Sequence, residues 1–113
     1  MNQFVNALAW ILSTHPDAEI RNGAEAVALA EQACRLTLYQ AAPMLMTLGA
    51  AYAEASRFEE AAAAARMAEA RATAGGNLEL AEKCRKMTEL FGSRQPFHEP
   101  AVITTPGQKQ PHS

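Results

Sequence analysis

The residue types that most often perform chemistry are few in this chain, and their spacing does not group them. His15, His98 and His112 stand at no i,i+3 or i,i+4 spacing from one another or from a cysteine, so no helix presents two metal ligands together. Cys34 and Cys84 are fifty residues apart, each within an apolar helical pattern. We therefore predict no metal and no cofactor. We interpret the cysteines as buried thiols of a reducing compartment rather than as a disulfide or a ligand pair.

Catalytic groups also have simpler structural explanations. The carboxylates of Glu59 and Glu60 suit the first turn of a helix, where the helix dipole favours negative charge. No serine or cysteine has a histidine at a spacing that indicates a catalytic pair, and Gly75-Gly76 lacks the lysine and serine of a phosphate-binding loop. We predict that the chain has no catalytic residues and is not an enzyme. A small helical enzyme or metal binder would require distant residues to converge in space.

Trp10 is the side chain best suited to recognition of another molecule. A lone tryptophan with a polar neighbour one helical turn away, here Asn6, is typical of an interface anchor. The alternative is that Trp10 packs against the next helix as part of the core. The sequence leaves both interpretations open.

A second candidate is a basic group near the C-terminal end, formed by Lys83, Arg85, Lys86 and Arg94. These side chains could contact phosphate or an acidic peptide, although such a run more often forms the solvated face of a helix. The formal net charge of −2 argues against a general electrostatic attraction to nucleic acid.

The elements that must position these residues are helices. Hydrophobic residues make up 49% of the chain but aromatic residues only 6%, which suits closely packed helices better than a β-sandwich. Residues 45–68 predict two antiparallel helices joined by a tight turn. The stripes of the two helices are Leu45, Leu48, Gly49 and Tyr52, then Ala61, Ala65 and Ala68. Ser56 and Glu59 have the spacing of a capping box, so we expect Ser56 to begin the second helix.

The same pattern occurs once more near the N-terminus. Three residues of the first stripe recur 40 positions earlier, as Leu8, Ala9 and Leu12. The second stripe recurs 35 positions earlier, as Ala26, Ala30 and Ala33. Because the two offsets differ by five residues, the first hairpin should have an internal turn that is five residues longer. We expect His15-Pro16 to end the first helix and Asn22 to cap the second, over roughly 23–37.

This order of residue types resembles the tetratricopeptide repeat, a helix-turn-helix unit of about 34 residues. The positions that match its large, leucine, small, tyrosine, aromatic and alanine sites are Leu45, Leu48, Gly49, Tyr52, Phe58, Ala61 and Ala68. Two positions depart from the pattern: Ala65 stands where an aromatic is usual, and Thr73 stands near the place of the closing proline. Residues 8–33, 50–61 and 90–97 are similar to a bacterial subgroup that often forms the C-terminal part of larger proteins. The resemblance covers about residues 4–97 and implies scaffolding or partner binding without catalysis.

We expect an all-α, right-handed stack of two antiparallel helical hairpins plus a terminal helix over residues 1–92. The fifth helix should begin after Asn77 and end at Gly92, with an inner face of Leu80, Ala81, Cys84, Met87, Leu90 and Phe91. Residues 93–113 carry four prolines and no helical period, which predicts an extended or disordered tail. Within it, residues 95–97 could fold back to cover Phe97.

Stacked hairpins curve, and the first helix of each pair lines the concave side. By register, the positions that face this groove are Asn6, Trp10, Thr14, Met46, Ala50, Ala53, Glu54 and Arg85. We predict a scaffold module that binds a peptide or helix there, held by Trp10 and Met46 and oriented by Asn6 and Arg85. The alternative is a structural module that self-associates, because two repeats are fewer than the three usually needed for stability. A second protomer of a homodimer, or the chain's own tail, would then occupy the groove.

The apolar N-terminus, residues 4–12, raises the question of a targeting segment. It lacks a preceding lysine or arginine, Asn6 interrupts it, and it is too short to cross a bilayer. We predict neither a signal peptide nor a transmembrane span, and a cytoplasmic location. The expected partners are proteins or peptides, not nucleic acid or membrane.

Overall fold

The computed structural model describes residues 2–100, which form five α-helices and, within that range, no strand. The helices are α1 (Asn2–Thr14), α2 (Gly23–Leu36), α3 (Ala42–Glu54), α4 (Phe58–Ala74) and α5 (Leu78–Gly92). The all-α expectation is confirmed for the described residues. The rest of the predicted tail, residues 101–113, lies outside them.

Most helix ends follow from local chemistry. The side-chain oxygen of Asn22 accepts a hydrogen bond from the amide of Glu25 at 3.1 Å, and Asn77 accepts one from Leu80 at 3.1 Å, so both asparagines cap as predicted. Pro43 lies in the first turn of α3, where its missing N–H costs nothing. Proline at position 16 ends α1 at Thr14.

The predicted cap at Ser56 is wrong. Helix α4 begins at Phe58, its N-cap is Arg57, and no side chain there bonds a backbone amide. Ser56 instead adopts a left-handed backbone with φ of 65° and ends α3, because the amide of Arg57 donates back to the carbonyl of Tyr52 at 2.8 Å. The preceding helix therefore decides the conformation of Ser56.

The same left-handed turn ends four helices in succession. Leu38, Ser56, Gly76 and Arg94 have φ of 55°, 65°, 80° and 59°. Each is followed by a residue whose amide bonds a carbonyl in the last turn of the helix, at 2.8 to 3.2 Å. Helices α2 and α4 end 38 residues apart, and so do α3 and α5. Alternate left-handed turns are therefore 38 residues apart.

The helices pack mainly through alanine. Each contacts the next along the chain, and α3 at the centre also contacts α1 and α5. Ala26, Ala30 and Ala33 of α2 are 0% exposed, as the predicted stripe requires. A Cβ on Gly49 would lie 3.1 Å from the carbonyl oxygen of Ala61, so glycine allows the close approach of α3 to α4. The inner face predicted for α5 also holds, since four of its six residues are buried and the other two are half-buried.

The connections differ in length as the sequence predicts. Residues 15–22 join α1 to α2, whereas residues 55–57 join α3 to α4, a difference of five residues. The longer loop carries Arg21 and folds onto the end of α1, where the amide of Asn22 donates to the carbonyl of Leu12 at 2.8 Å. Among the described residues, no helix combines the length and the apolar character needed to cross a membrane.

Candidate binding site

The candidate site is the face formed by α1, α3 and α5, which we call the α1–α3–α5 face. Residues 93–100, the C-terminal segment, leave α5 through the left-handed turn at Arg94 and return across this face without forming a helix. The fold-back predicted for Phe97 is therefore present. Three consecutive residues, 97 to 99, make the contacts, and each is half-buried.

Trp10 on α1 binds the C-terminal segment at two places. Its ring packs against Phe97, with centroids 5.7 Å apart and planes inclined by 39°. Its Nε1–H donates to the Oε2 of Glu99 at 3.0 Å. The indole therefore uses its apolar face for an aromatic side chain and its polar edge for a carboxylate. Trp10 is half-buried, and it lies at the edge of the core rather than within it.

Lys83 on α5 completes the aromatic contact. Its Nζ lies 5.2 Å from the centroid of Trp10 and 5.6 Å from that of Phe97. A cation at this distance from two ring faces is attracted by both. The side chain remains exposed, so water weakens the interaction without removing it.

The end of α1 supplies a backbone contact. Because α1 stops at Thr14, the carbonyl of Thr14 has no partner within the helix. The amide of Glu99 donates to it at 2.7 Å. The hydroxyl of Thr14 is occupied within the helix, since it donates to the carbonyl of Trp10 at 2.7 Å. The proline that ends the helix thus creates the acceptor that fixes the C-terminal segment.

Glu54, at the end of α3, contacts His98, which lies between Phe97 and Glu99. Its Oε1 lies 2.7 Å from Nε2 of His98, and its Oε2 accepts from Nε of Arg21 at 3.1 Å. Arg21 is itself fixed by the carbonyl of His15 at 2.6 Å. A carboxylate oxygen accepts hydrogen bonds, so the tautomer of His98 that carries its proton on Nε2 is the one that fits this contact. The longer loop between α1 and α2 therefore positions the carboxylate of Glu54 through Arg21.

The floor of the face is apolar. Ala50 and Ala53 are 0% and 1% exposed, and they pack with Phe91 of α5 and with half-buried Met46. Small side chains on α3 leave room for Phe97 above them. This floor combines residues of α3, α4 and α5, so it depends on the packing of the whole chain.

Of the eight positions predicted to face the groove, seven lie on α1 or α3. Two of these seven, Trp10 and Glu54, have side chains that contact the C-terminal segment. Asn6 is half-buried, and no donor among the described residues reaches its buried Oδ1. Arg85 is the exception. It lies exposed on α5, where it binds Glu82 and donates to Glu89 at 3.0 Å. The cation beside Trp10 is Lys83 instead.

The residues that the sequence does not indicate are His98, Glu99 and Arg21. Each acts through a partner more than thirty positions away along the chain. The only local signal for His98 and Glu99 is the run Pro-Phe-His-Glu, where an aromatic and a carboxylate two positions apart follow a proline. Helical periodicity cannot detect a contact made by a segment that is not helical.

A depression of about 620 Å³ continues the face beyond the C-terminal segment. Trp10, Ile11, Pro16 and Glu99 are among its lining residues. It is mostly apolar on the α1 side, and the longer loop between α1 and α2 forms its far wall. A ligand on the α1–α3–α5 face could extend into it.

The side chains that most often bind metals do not gather at this face. Within residues 2–100, no three His, Cys, Asp or Glu side chains converge as a metal site would require. Cys34 and Cys84 are free and buried, and burial raises the pKa of each thiol to about 11. Both therefore pack as apolar groups, as the sequence predicts.

Comparison of the chain with protein-family models, with curated proteins and with solved structures gives no match.

Proposed function

We propose that the chain is a non-enzymatic protein-interaction module that binds a peptide on the α1–α3–α5 face. The observation that carries the proposal is the C-terminal segment itself: a short stretch without helix is held there by a ring contact, a hydrogen bond and a backbone contact to α1. A face that holds one peptide segment has the groups needed to hold another. The partner is a protein or peptide, and the module acts as a scaffold.

The proposed architecture behind this face is a right-handed stack of helical hairpins of the tetratricopeptide type. Its support is the pattern of neighbours, in which α3 contacts α1 before it and α5 after it. The ends of α2 and α4 and the ends of α3 and α5 are 38 residues apart, which supports a repeated hairpin, although this interval is longer than the unit of about 34 residues. In such a stack, α1, α3 and α5 line one side, which is the arrangement that a groove requires.

Two further groups suit a peptide ligand. Asn6 lies one turn from Trp10, and its buried Oδ1 has no donor among the side chains that the structure describes, so a ligand would reach it only after the amide turns outward. Met46 is half-buried at the floor and has a flexible side chain that adapts to different ligands. The two free, buried cysteines fit a reducing compartment such as the cytoplasm.

The experiment is selection of displayed random peptides on the purified chain and on its Trp10→Ala variant. We expect enrichment of a common motif on the wild-type chain and its loss on the variant, with unchanged far-UV circular dichroism. Lys86→Ala, an exposed position on α5, is the matched control and should retain the motif. If no motif is enriched, or if Trp10→Ala retains it, the proposed site is wrong.

Self-association is a second candidate, and one observation favours it. Helix α1 carries no charged residue, and its side chains Phe4, Leu8 and Ile11 are 69%, 37% and 43% exposed. Terminal helices of a repeat stack usually present a polar outer face. A second copy packed on α1 would cover these side chains. Light scattering across micromolar concentrations separates the two candidates, because a monomer throughout excludes this dimer.

A further inference from the structure

We infer that the α1–α3–α5 face recognises a three-residue motif, an aromatic, then a hydrogen-bond donor, then a carboxylate, and that the chain's own residues 97–99 compete for it. The inference rests on the proposed function and adds the chemistry of the ligand. It also implies that the free chain is partly self-blocked. A partner must therefore displace the C-terminal segment before it binds.

The spacing of the motif follows from a single indole. Phe97 packs on the ring of Trp10, and Glu99 accepts from its Nε1–H, so both contacts are made by one rigid side chain. Because Phe97 and Glu99 both reach this one indole, residues two positions apart project to the same side, as they do in a strand. An aromatic and a carboxylate two positions apart therefore match the face and the edge of the ring.

Electrostatics selects the first and last positions. Lys83 places a cation over both Trp10 and Phe97, which favours an electron-rich ring. Helix α1 has no acidic residue that would repel a carboxylate at the indole edge. The carboxylate also forms a charge-assisted hydrogen bond, which is stronger than a neutral one.

Glu54 selects the middle position. Its carboxylate is held by Arg21 and presents the other oxygen to His98 at 2.7 Å. Only a donor can occupy this place, and a cationic donor such as arginine, lysine or a protonated histidine gains an ion pair. An acidic residue there would place two carboxylates together and would be rejected.

The C-terminal segment can leave without unfolding the helices. The buried residues of the main core belong to α1 to α5, and the three contacting residues of the segment are only half-buried. The turn that returns the segment has non-glycine Arg94 in the left-handed region, at φ of 59°, which is a mild strain. Displacement therefore costs the contacts of residues 97–99 and little else.

The test uses the full chain and a vacated variant that combines Phe97→Ala with Glu99→Ala. The probe is a capped heptapeptide with the sequence of residues 94–100, followed by calorimetry and by the fluorescence of Trp10, the single tryptophan. We expect the vacated variant to bind the peptide at least about tenfold more tightly than the wild-type chain, because the wild-type face is mostly occupied. Circular dichroism and a thermal melt confirm that the variant is folded. Glu99→Ala alone provides a milder second variant.

Peptide variants test each position of the motif. Replacing the aromatic by alanine, the carboxylate by lysine, or the middle histidine by glutamate should each weaken binding to the vacated variant by about tenfold or more. A peptide with the same composition in scrambled order is the control. Equal binding of the scrambled peptide would overturn the motif.

The remaining outcomes are distinct. If the heptapeptide fails to bind the vacated variant while displayed peptides of another chemistry bind through Trp10, the motif is wrong and the proposed function stands. If neither binds, both are wrong. Equal affinity for wild-type and vacated chains would overturn the competition. A wild-type dimer that disappears in the vacated variant would place the segment on a second copy and overturn the self-blocked state.

Discussion

The hydrogen bond between Trp10 and Glu99 can be isolated by a double-mutant cycle. Trp10→Phe keeps a six-membered ring for Phe97 and removes the Nε1–H donor together with the five-membered ring, whereas Glu99→Ala removes the acceptor. Hydrogen bonds to charged groups contribute about 1.5–3 kcal/mol when well formed. Because both side chains are half-buried, water replaces part of the lost interaction. We expect a coupling free energy of about 1 kcal/mol.

The assay is urea unfolding of the four proteins, followed by far-UV circular dichroism because Trp10→Phe removes the only tryptophan. The control cycle pairs Trp10→Phe with Glu82→Ala, since Glu82 binds Arg85 on the exposed side of α5. That pair should be additive within about 0.5 kcal/mol.

The C-terminal segment could detach before the helices unfold, and the coupling would then appear only locally. Hydrogen exchange of the Glu99 amide, which donates to Thr14 at 2.7 Å, detects this case. Additive free energies together with an unprotected Glu99 amide would refute the docked segment.

Three further predictions concern stability and reactivity. Gly49→Ala should lower the free energy of unfolding by about 1–3 kcal/mol, because the new Cβ would lie 3.1 Å from the α4 backbone. The control is Gly92→Ala, whose Cβ has nothing within 4 Å and should change the free energy of unfolding by less than about 0.5 kcal/mol. Thermal melts of the two variants compare these effects. Ser56→Gly should raise stability by about 1 kcal/mol in urea titrations, since glycine accepts φ of 65° freely; a loss would instead restore Ser56 as a helix cap. At pH 8 the raised pKa of about 11 leaves only about one thiol in a thousand ionised at Cys34 and Cys84. We therefore expect iodoacetamide to label neither cysteine until denaturant is added. Rapid labelling of the native chain, detected by mass spectrometry, would contradict the burial of the two thiols.

The sequence predicts the helices well because their signals are local. Asn22 and Asn77 cap, and the proline at position 16 ends α1. Each effect requires only neighbours a few positions away. The buried face of α2 is also predictable from the sequence, because a period of 3.6 residues places its alanines on one side of the helix.

The Ser56 cap fails because a local motif competes with the end of the preceding helix. Only three residues separate α3 from α4, so the turn that closes α3 uses the residue that the capping box assigns to α4. The carbonyl of Tyr52 receives its bond from Arg57, and Ser56 must then be left-handed. A short connection cannot satisfy both motifs.

The candidate site is only partly predictable for a different reason. Trp10 and Glu54 follow from helical register, which is a property of their own helices. The identity of their partners depends on where the chain after α5 returns, and that path is set by the turn at Arg94. Arg85 and Lys83 are two positions apart on α5, which places their side chains about 200° apart around the helix. A register error of two residues therefore assigns Arg85, instead of Lys83, to the position beside Trp10.

The most direct measurement of the occupied face is the indole N–H resonance of Trp10. The chain has one tryptophan, so the ¹H–¹⁵N spectrum should contain a single indole signal. We expect that signal to move when Phe97→Ala and Glu99→Ala vacate the face of the full chain. It should return toward its wild-type position when the heptapeptide of residues 94–100 is added. A signal that is the same in the wild-type and vacated chains would contradict the contact between Trp10 and the C-terminal segment.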